Sequence, residues 1–176
     1  MLTIRQATQA DLDALREVGC ETYRQHFSTI WSAAGLQAFL DQDFSTSALS
    51  RSLAQPDQHA WFIAADASGH VVGFAKVNRS TPAPVTGESG AELQKIYFLS
   101  SAAGRGYGKQ LLQFIRQWAL QRGERLLWLD VLKSNANARR FYAASGFQQV
   151  AEIPFSTDLA EIGMVVMALE LTSSES

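Results

Sequence analysis

The residues that decide the fold are AELQKIYFLSSAAGRGYGKQLLQFIRQWALQ, positions 91–121. AELQKIYFL (91–99) has the apolar and aromatic character of a strand, and SSAAGRGYG (100–108) is a glycine-rich turn. The remainder, to Arg122, repeats apolar residues at helical spacing. Leu111, Leu112, Ile115, Trp118 and Ala119 form one stripe, and Gly123 stands where a helix C-cap belongs. A strand, a glycine turn and a helix start together make an anion site. Backbone N–H groups converge at the helix N-terminus, and the helix dipole favours negative charge there. Gly104, Gly106 and Gly108 let the backbone approach closely, while Arg105 and Lys109 add charge.

Two common phosphate loops fit poorly. A P-loop ending on Gly108-Lys109 needs Gly at Ala103 and a hydroxyl at Gln110. A dinucleotide fold needs G-x-G-x-x-G, whereas the spacing here is G-x-G-x-G. Asp130 lies near the position of that fold's acidic residue, yet only one more helix follows its strand.

Toward the N-terminus, residues 2–7 alternate as a short strand. Thr8 and Asp11 have capping-box spacing, and Leu12, Leu15, Val18 and Thr22 recur at helical spacing to about Phe27. The stretch 32–55 reads as two shorter helices burying Leu36, Phe39, Leu40, Leu49 and Leu53, and Pro56 ends it. Strands at about 60–66 and 70–78 form a hairpin turning at Ser68-Gly69, and 80–90, with two Pro and two Gly, reads as a loop. Toward the C-terminus, ERLLWLDVL (124–132) is apolar enough to be buried on both faces. Ser134 or Asn135 caps a short helix ending near Gly146, and 147–153 can pair antiparallel with 162–171. The expected fold class is α/β: a mixed, mostly antiparallel sheet of about seven strands with helices on both faces. One domain spans 1–171, followed by a polar tail at 172–176.

Two motifs carry a family resemblance. The glycine turn follows the plan Q/R-x-x-G-x-G/A, and 92–112 resembles the acetyl-CoA-binding motif of the GNAT N-acetyltransferases. Independently, NANARRFYAASGF (135–147) resembles that family's N-x-x-A-x-x-F-Y-x-x-x-G-F signature, at the family's interval and after a strand. The first strand and helix and the hairpin fit as well, so the resemblance covers nearly the whole chain. It departs at Ala103, where the family usually has Gln or Arg; that removes a side chain and leaves the backbone amides. In finer detail LQKIYFL (93–99), GRGYGK (104–109), LWLDVLKSNANARRFYAASGF (127–147) and EVGCETYRQHF (17–27) look most like bacterial spermine/spermidine N-acetyltransferases.

The resemblance implies a site. Acetyl-CoA is the co-substrate, its pyrophosphate held by the N–H groups of Gly104, Arg105, Gly106, Tyr107, Gly108 and Lys109. Ile96, Tyr97 and Phe98 lie on a strand that splays from its neighbour to receive the pantetheine arm, and an N–H there polarises the thioester carbonyl. Asn135, most simply the cap of its helix, and Asn137 are the candidates for the asparagine that contacts the cofactor, and Lys133 is a further candidate for a phosphate. Tyr142 protonates the leaving thiolate, a role suited to a phenol that keeps its proton at neutral pH. Glu92, fourteen residues before Gly106, has the spacing of the base in the family's histone acetyltransferases. Plain strand alternation puts it on one face with Ile96 and Phe98.

Weighed without the resemblance, Glu92 is equally a solvated strand carboxylate and Tyr142 a half-buried packing residue. Glu21, Tyr23 and His26 are ordinary helix-surface types, but acidic and aromatic groups, Trp31 among them, are also what a cationic amine needs around it. They are the candidate substrate-binding residues. Cys20, the single cysteine, reads as a small buried residue and excludes an intrachain disulfide or a cysteine-rich zinc site; no metal is expected.

Composition bounds the rest. The 176 residues are 47% hydrophobic and 18% charged, with 15 Lys plus Arg against 17 Asp plus Glu for a net charge of −2. Dominant disorder is excluded, and nonspecific nucleic-acid binding is disfavoured. No secretory leader or membrane-length apolar run is read at either end, so a cytoplasmic enzyme is expected, with a homodimer left open. The expected reaction is acetyl transfer to a small polyamine. Acetylation of a protein N-terminus or lysine, and a non-catalytic CoA-binding module, are the alternatives.

Overall fold

In a computed structural model describing residues 1–172, the chain begins with strand β1 (Thr3–Gln6) and helix α1 (Leu12–Phe27), joined through a capping box on Thr8 and Asp11. The tail expected at 172–176 lies outside the described residues apart from Thr172. Helices α2 (Ala33–Phe44) and α3 (Thr46–Leu53) each start on a serine, Ser32 or Ser45, whose side chain accepts a first-turn N–H. Strands β2 (His59–Ala65), β3 (Val71–Pro82) and β4 (Ser89–Phe98) follow, then α4 (Tyr107–Gln121) and β5 (Leu126–Leu132). Helix α5 (Ala136–Ala144) and strands β6 (Gln148–Ile153) and β7 (Met164–Glu170) complete the order.

The seven strands form one sheet in the order β1-β2-β3-β4-β5-β7-β6. Every neighbouring pair is antiparallel except β4 with β5. This is the mixed, mostly antiparallel α/β fold expected. Residues 80–90 are the main local departure, because strands enter that stretch from both sides. Thr81 pairs with Gly90 and Pro82 with Ser89, leaving only 83–88 as the connection. Pro82 is tolerated because it sits at the strand's end, where a missing N–H costs no interior ladder bond.

Helices cover both faces. On one, Leu111, Leu112, Ile115, Trp118 and Ala119 of α4 join Phe62, Val77, Leu93, Leu127, Leu129, Val165 and Met167 of the sheet. Fully burying each large apolar side chain contributes about 1.5–3 kcal/mol, so the stripe is what fixes α4 to the sheet. On the other face, Leu15, Val18 and Tyr23 of α1 and Leu36, Leu40 and Phe44 of α2 cover Trp61, Ile63 and Phe74. No helix among the described residues is long and apolar enough to cross a membrane.

Candidate active site

The site begins where the sheet comes apart. β4 and β5 pair through only Ala91 with Leu127 and Glu92 with Trp128, although both strands run on. Beyond Glu92 the strands diverge, and residues 93–98 face a wedge with no ladder on that side. A bulge sits at the same place. Val77 pairs with Leu93 and Lys76 with Lys95, so Gln94 is the extra residue on β4. A bulge bends the strand that carries it, and this one falls where β4 parts from β5.

The bulge also corrects the alternation. Leu93, Ile96 and Phe98 turn to the α4 face, whereas Tyr97 packs with α1 and α2 and Lys95 reaches the same helices. Glu92 therefore lies on the face of Lys95 and Tyr97, opposite Ile96 and Phe98. The extra residue shifts the two-residue period by one, which flips the facing of everything beyond it.

At the end of β4 the chain passes through the glycine turn into α4. Gly104 and Gly106 have φ of +77° and +75°, and nothing protein-derived lies above either α-carbon. Gly106 is the N-cap of α4, and the first helical bond runs from the Gln110 N–H to its carbonyl. The N–H groups of Tyr107, Gly108 and Lys109 precede that bond and have no helical acceptor. No acidic side chain occupies the first turn, and Arg105 and Lys109 are exposed beside it. Positive-φ glycines, free N–H groups and two cations suit a pyrophosphate, so the chain fits the nucleotide end of acetyl-CoA here and its pantetheine arm along the open edge of β4.

Tyr142, on α5, is 8% exposed, and its ring meets Phe141 and Phe147 edge-on at 5.3 and 5.6 Å. Burial pushes its phenol well above the ordinary value, so it remains a proton donor across the neutral range. Asn135 caps α5 by accepting the Ala138 N–H at 3.1 Å, and Asn137 accepts from Arg140. Both asparagines are exposed on the side of α5 where the chain leaves β5.

Glu92 is half-buried and accepts from Asn78 Nδ2 at 2.9 Å, an amide that also donates to Gln94. Asp130 lies two residues beyond Trp128, the β5 partner of Glu92, and so on the same face. Its carboxyl has no hydrogen-bond or ion-pair partner among the described residues. It is exposed to solvent at its tip yet closely flanked by protein, and that partial desolvation first, then the neighbouring Glu92, raise its pKa to about 6. Sequence reading passed over Asp130 as an active-site residue, although one acid in the otherwise apolar LLWLDVL is a signal in itself. Lys76, half-buried on β3, is lowered to about 8, chiefly by burial and then by Lys95.

The four expected substrate residues do not gather at one point. Glu21 turns to solvent beside Arg24 and Gln25. Tyr23 is 2% exposed, its hydroxyl tied to Lys95 at 2.7 Å. His26 approaches the Phe98 carbonyl through Nε2 at 3.1 Å, so it touches the open end of β4. Trp31 is half-exposed, stacked on Phe39 with centroids 5.5 Å apart and edge-on to Phe155 at 6.5 Å. Close by, Asp158 from the β6–β7 connection accepts from the Ser32 N–H at 3.0 Å and from its hydroxyl. The start of α2 is thereby tied to the far half of the sheet across the face that carries Glu92 and Asp130.

The family model described as "Acetyltransferase (GNAT) family" matches residues 13–147. Among curated proteins, the uncharacterized N-acetyltransferase of the pepI 3′ region of Lactobacillus delbrueckii subsp. lactis is 29% identical over 86% of this chain and 87% of its own length. The aminoglycoside N(6′)-acetyltransferase type 1 of Stenotrophomonas maltophilia is 30% identical over 87% and 90%. The crystal structure of PaiA N-acetyltransferase from Thermoplasma acidophilum in complex with coenzyme A superposes with a TM-score of 0.77, at 21% identity, over 97% of this chain and 99% of that one.

Proposed function

The chain belongs to the acetyltransferase (GNAT) family, and from that premise we propose that it transfers the acetyl group of acetyl-CoA to a primary amine of a small polycation such as spermidine or spermine. One observation carries the choice of acceptor: Glu92 and Asp130 present two carboxylates on one face, where β4 peels away from β5. An ammonium ion is drawn to such a pair. It must also lose a proton before its nitrogen can attack, and a carboxylate with a pKa near 6 is a better base than an ordinary one. Asp130 thus joins Glu92 as a candidate for that proton.

The remaining roles follow from position. N–H groups on the open edge of β4, among Ile96, Tyr97 and Phe98, polarise the thioester carbonyl. Tyr142 gives its proton to the departing sulfur, while Gly104, Arg105, Gly106, Tyr107, Gly108 and Lys109 hold the pyrophosphate with help from Asn135 and Asn137. In this reading the link between Ser32 and Asp158, with Trp31 against Phe155, bounds the acceptor side. That favours a slender amine over a lysine on a folded protein. The relative named for aminoglycosides, themselves polycations, supports a second reading in which the same carboxylates receive an aminoglycoside amine.

Acetyl transfer measured across spermine, spermidine, an aminoglycoside, lysine and an N-terminal peptide tests the proposal. The polyamines should give the highest kcat/KM, and Tyr142→Phe should lower kcat by about 10²-fold, a typical acid–base contribution, with acetyl-CoA affinity unchanged. No activity on either polyamine would remove the acceptor assignment, and equal turnover in the variant would remove Tyr142 as the acid.

A further inference from the structure

We propose that Lys95 is a positioning residue for acetyl transfer: its bonds to Asp43 and Tyr23 hold the peeled half of β4 at the spacing the thioester requires. The inference rests on acetyl-CoA binding along β4 and not on which amine is acetylated.

Beyond Glu92, β4 keeps a ladder with β3 alone, and the Gln94 bulge gives it a pivot. A strand in that state needs another restraint if its free edge is to hold a fixed geometry. Lys95 is the first residue past the bulge. It is 5% exposed, and its ammonium donates to Asp43 Oδ2 at 2.6 Å and to the Tyr23 hydroxyl at 2.7 Å. It also lies 5.3 Å from the Tyr23 ring centroid and 5.7 Å from that of Phe44. One side chain of β4 is therefore bonded to both α1 and α2.

Two further bonds from α1 reach the same segment. His26 Nε2 donates to the Phe98 carbonyl at 3.1 Å, and Gln25 accepts the Ser100 N–H at 2.8 Å. Together the three attachments span the strand from the bulge to the start of the glycine turn.

Stability alone gives a weak account of this arrangement. Burying two opposite charges carries a desolvation cost that their attraction roughly repays, and an apolar pair of similar volume commonly does as well or better. What a directional bonded pair adds is a fixed position, and amide donors aimed at a developing oxyanion lose their effect over small displacements. Tyr23, an expected substrate residue, acts in this reading through Lys95.

The decisive protein is the double variant Lys95→Met/Asp43→Asn, which removes both charges and keeps an amide oxygen at position 43 to accept from the buried Tyr23 hydroxyl. It should fold with a Tm within a few degrees of wild type and bind acetyl-CoA within about threefold, since the glycine turn is untouched. Its kcat should fall at least tenfold, and amide exchange at residues 96–98 should quicken while β5 exchange stays unchanged. Wild-type kcat with unchanged exchange in the folded double variant would overturn the proposal. Should that variant fail to fold, Lys95→Arg decides, because it keeps the charge and alters the reach: a kcat loss of fivefold or more supports the role, and wild-type kcat overturns it. If the wild-type enzyme acetylates no amine offered, the acceptor assignment fails separately, and the exchange rates at 96–98 still decide the role of Lys95.

Discussion

Asp130 and Glu92 show how two carboxylates on one face come to differ. Glu92 is anchored by the Asn78 amide, whereas Asp130 has no such partner, and burial with the nearby Glu92 charge raises its pKa to about 6. A carboxyl held above its ordinary 3.8 binds its proton more tightly folded than unfolded. Its contribution is therefore a cost that is absent below about 3.8, grows as pH rises and is complete above about 6. Asp130→Asn should accordingly raise the Tm relative to wild type at pH 7.5, and the difference should shrink to nothing near pH 4 in parallel thermal scans. If Asp130 takes the amine's proton, the same substitution should flatten the acid limb of the kcat profile near pH 6. A higher Tm with an unaltered profile would leave the proton to Glu92. None of this is legible from Asp130 in sequence. Its facing follows from the β5 register, and its pKa from the packing around it first and then from a neighbour 38 positions away in the chain.

Elements differ in how far local chemistry determines them. α4 and α5 were readable because their starts depend on nearby residues, the Gly104 and Gly106 turn and the Asn135 cap. The facing of β4 was not, because a bulge belongs to a pair of strands and leaves no mark in either sequence alone. Likewise 80–90 looked like a loop from its Pro and Gly content, yet cross-strand pairing extended β3 and β4 into it. Removing Gln94 tests what the bulge does. The deletion restores regular alternation with Leu93, Ile96 and Phe98 still on the α4 face, so the core facing survives. What disappears is the bend where β4 parts from β5. The shortened protein should remain folded, show slower amide exchange at 96–98 as the two edges approach, and bind acetyl-CoA at least tenfold more weakly by calorimetry. Undiminished binding would mean that the wedge is held open by α1 and α4 and not by the bulge.

For the whole molecule, the wedge is a weakness that a ligand bound along β4 would repair. A two-residue ladder joins β1–β4 to β5, β7 and β6, so the hydrogen bonding of the sheet is interrupted at its centre. A ligand lying along β4 and reaching Tyr142 and Asn135 on the far side would couple the halves only in the folded state. At a concentration 100 times its Kd, such a ligand adds about 2.7 kcal/mol to the unfolding free energy. At roughly 2–4 °C per kcal/mol for a chain of this size, the Tm should rise by roughly 5–11 °C. The part of the molecule that responds should depend on which part of the ligand is supplied. Acetyl-CoA should slow amide exchange both at 104–109 and at 96–98, because in the proposed pose one end occupies the helix start and the other the open strand edge. Adenosine 3′-phosphate 5′-diphosphate, which keeps the pyrophosphate and has no pantetheine arm, should protect 104–109 alone and raise the Tm less at equal saturation. Protection of β4 by the nucleotide alone would mean that the two regions tighten together, making the strand part of the cradle's response and not a separate binding surface.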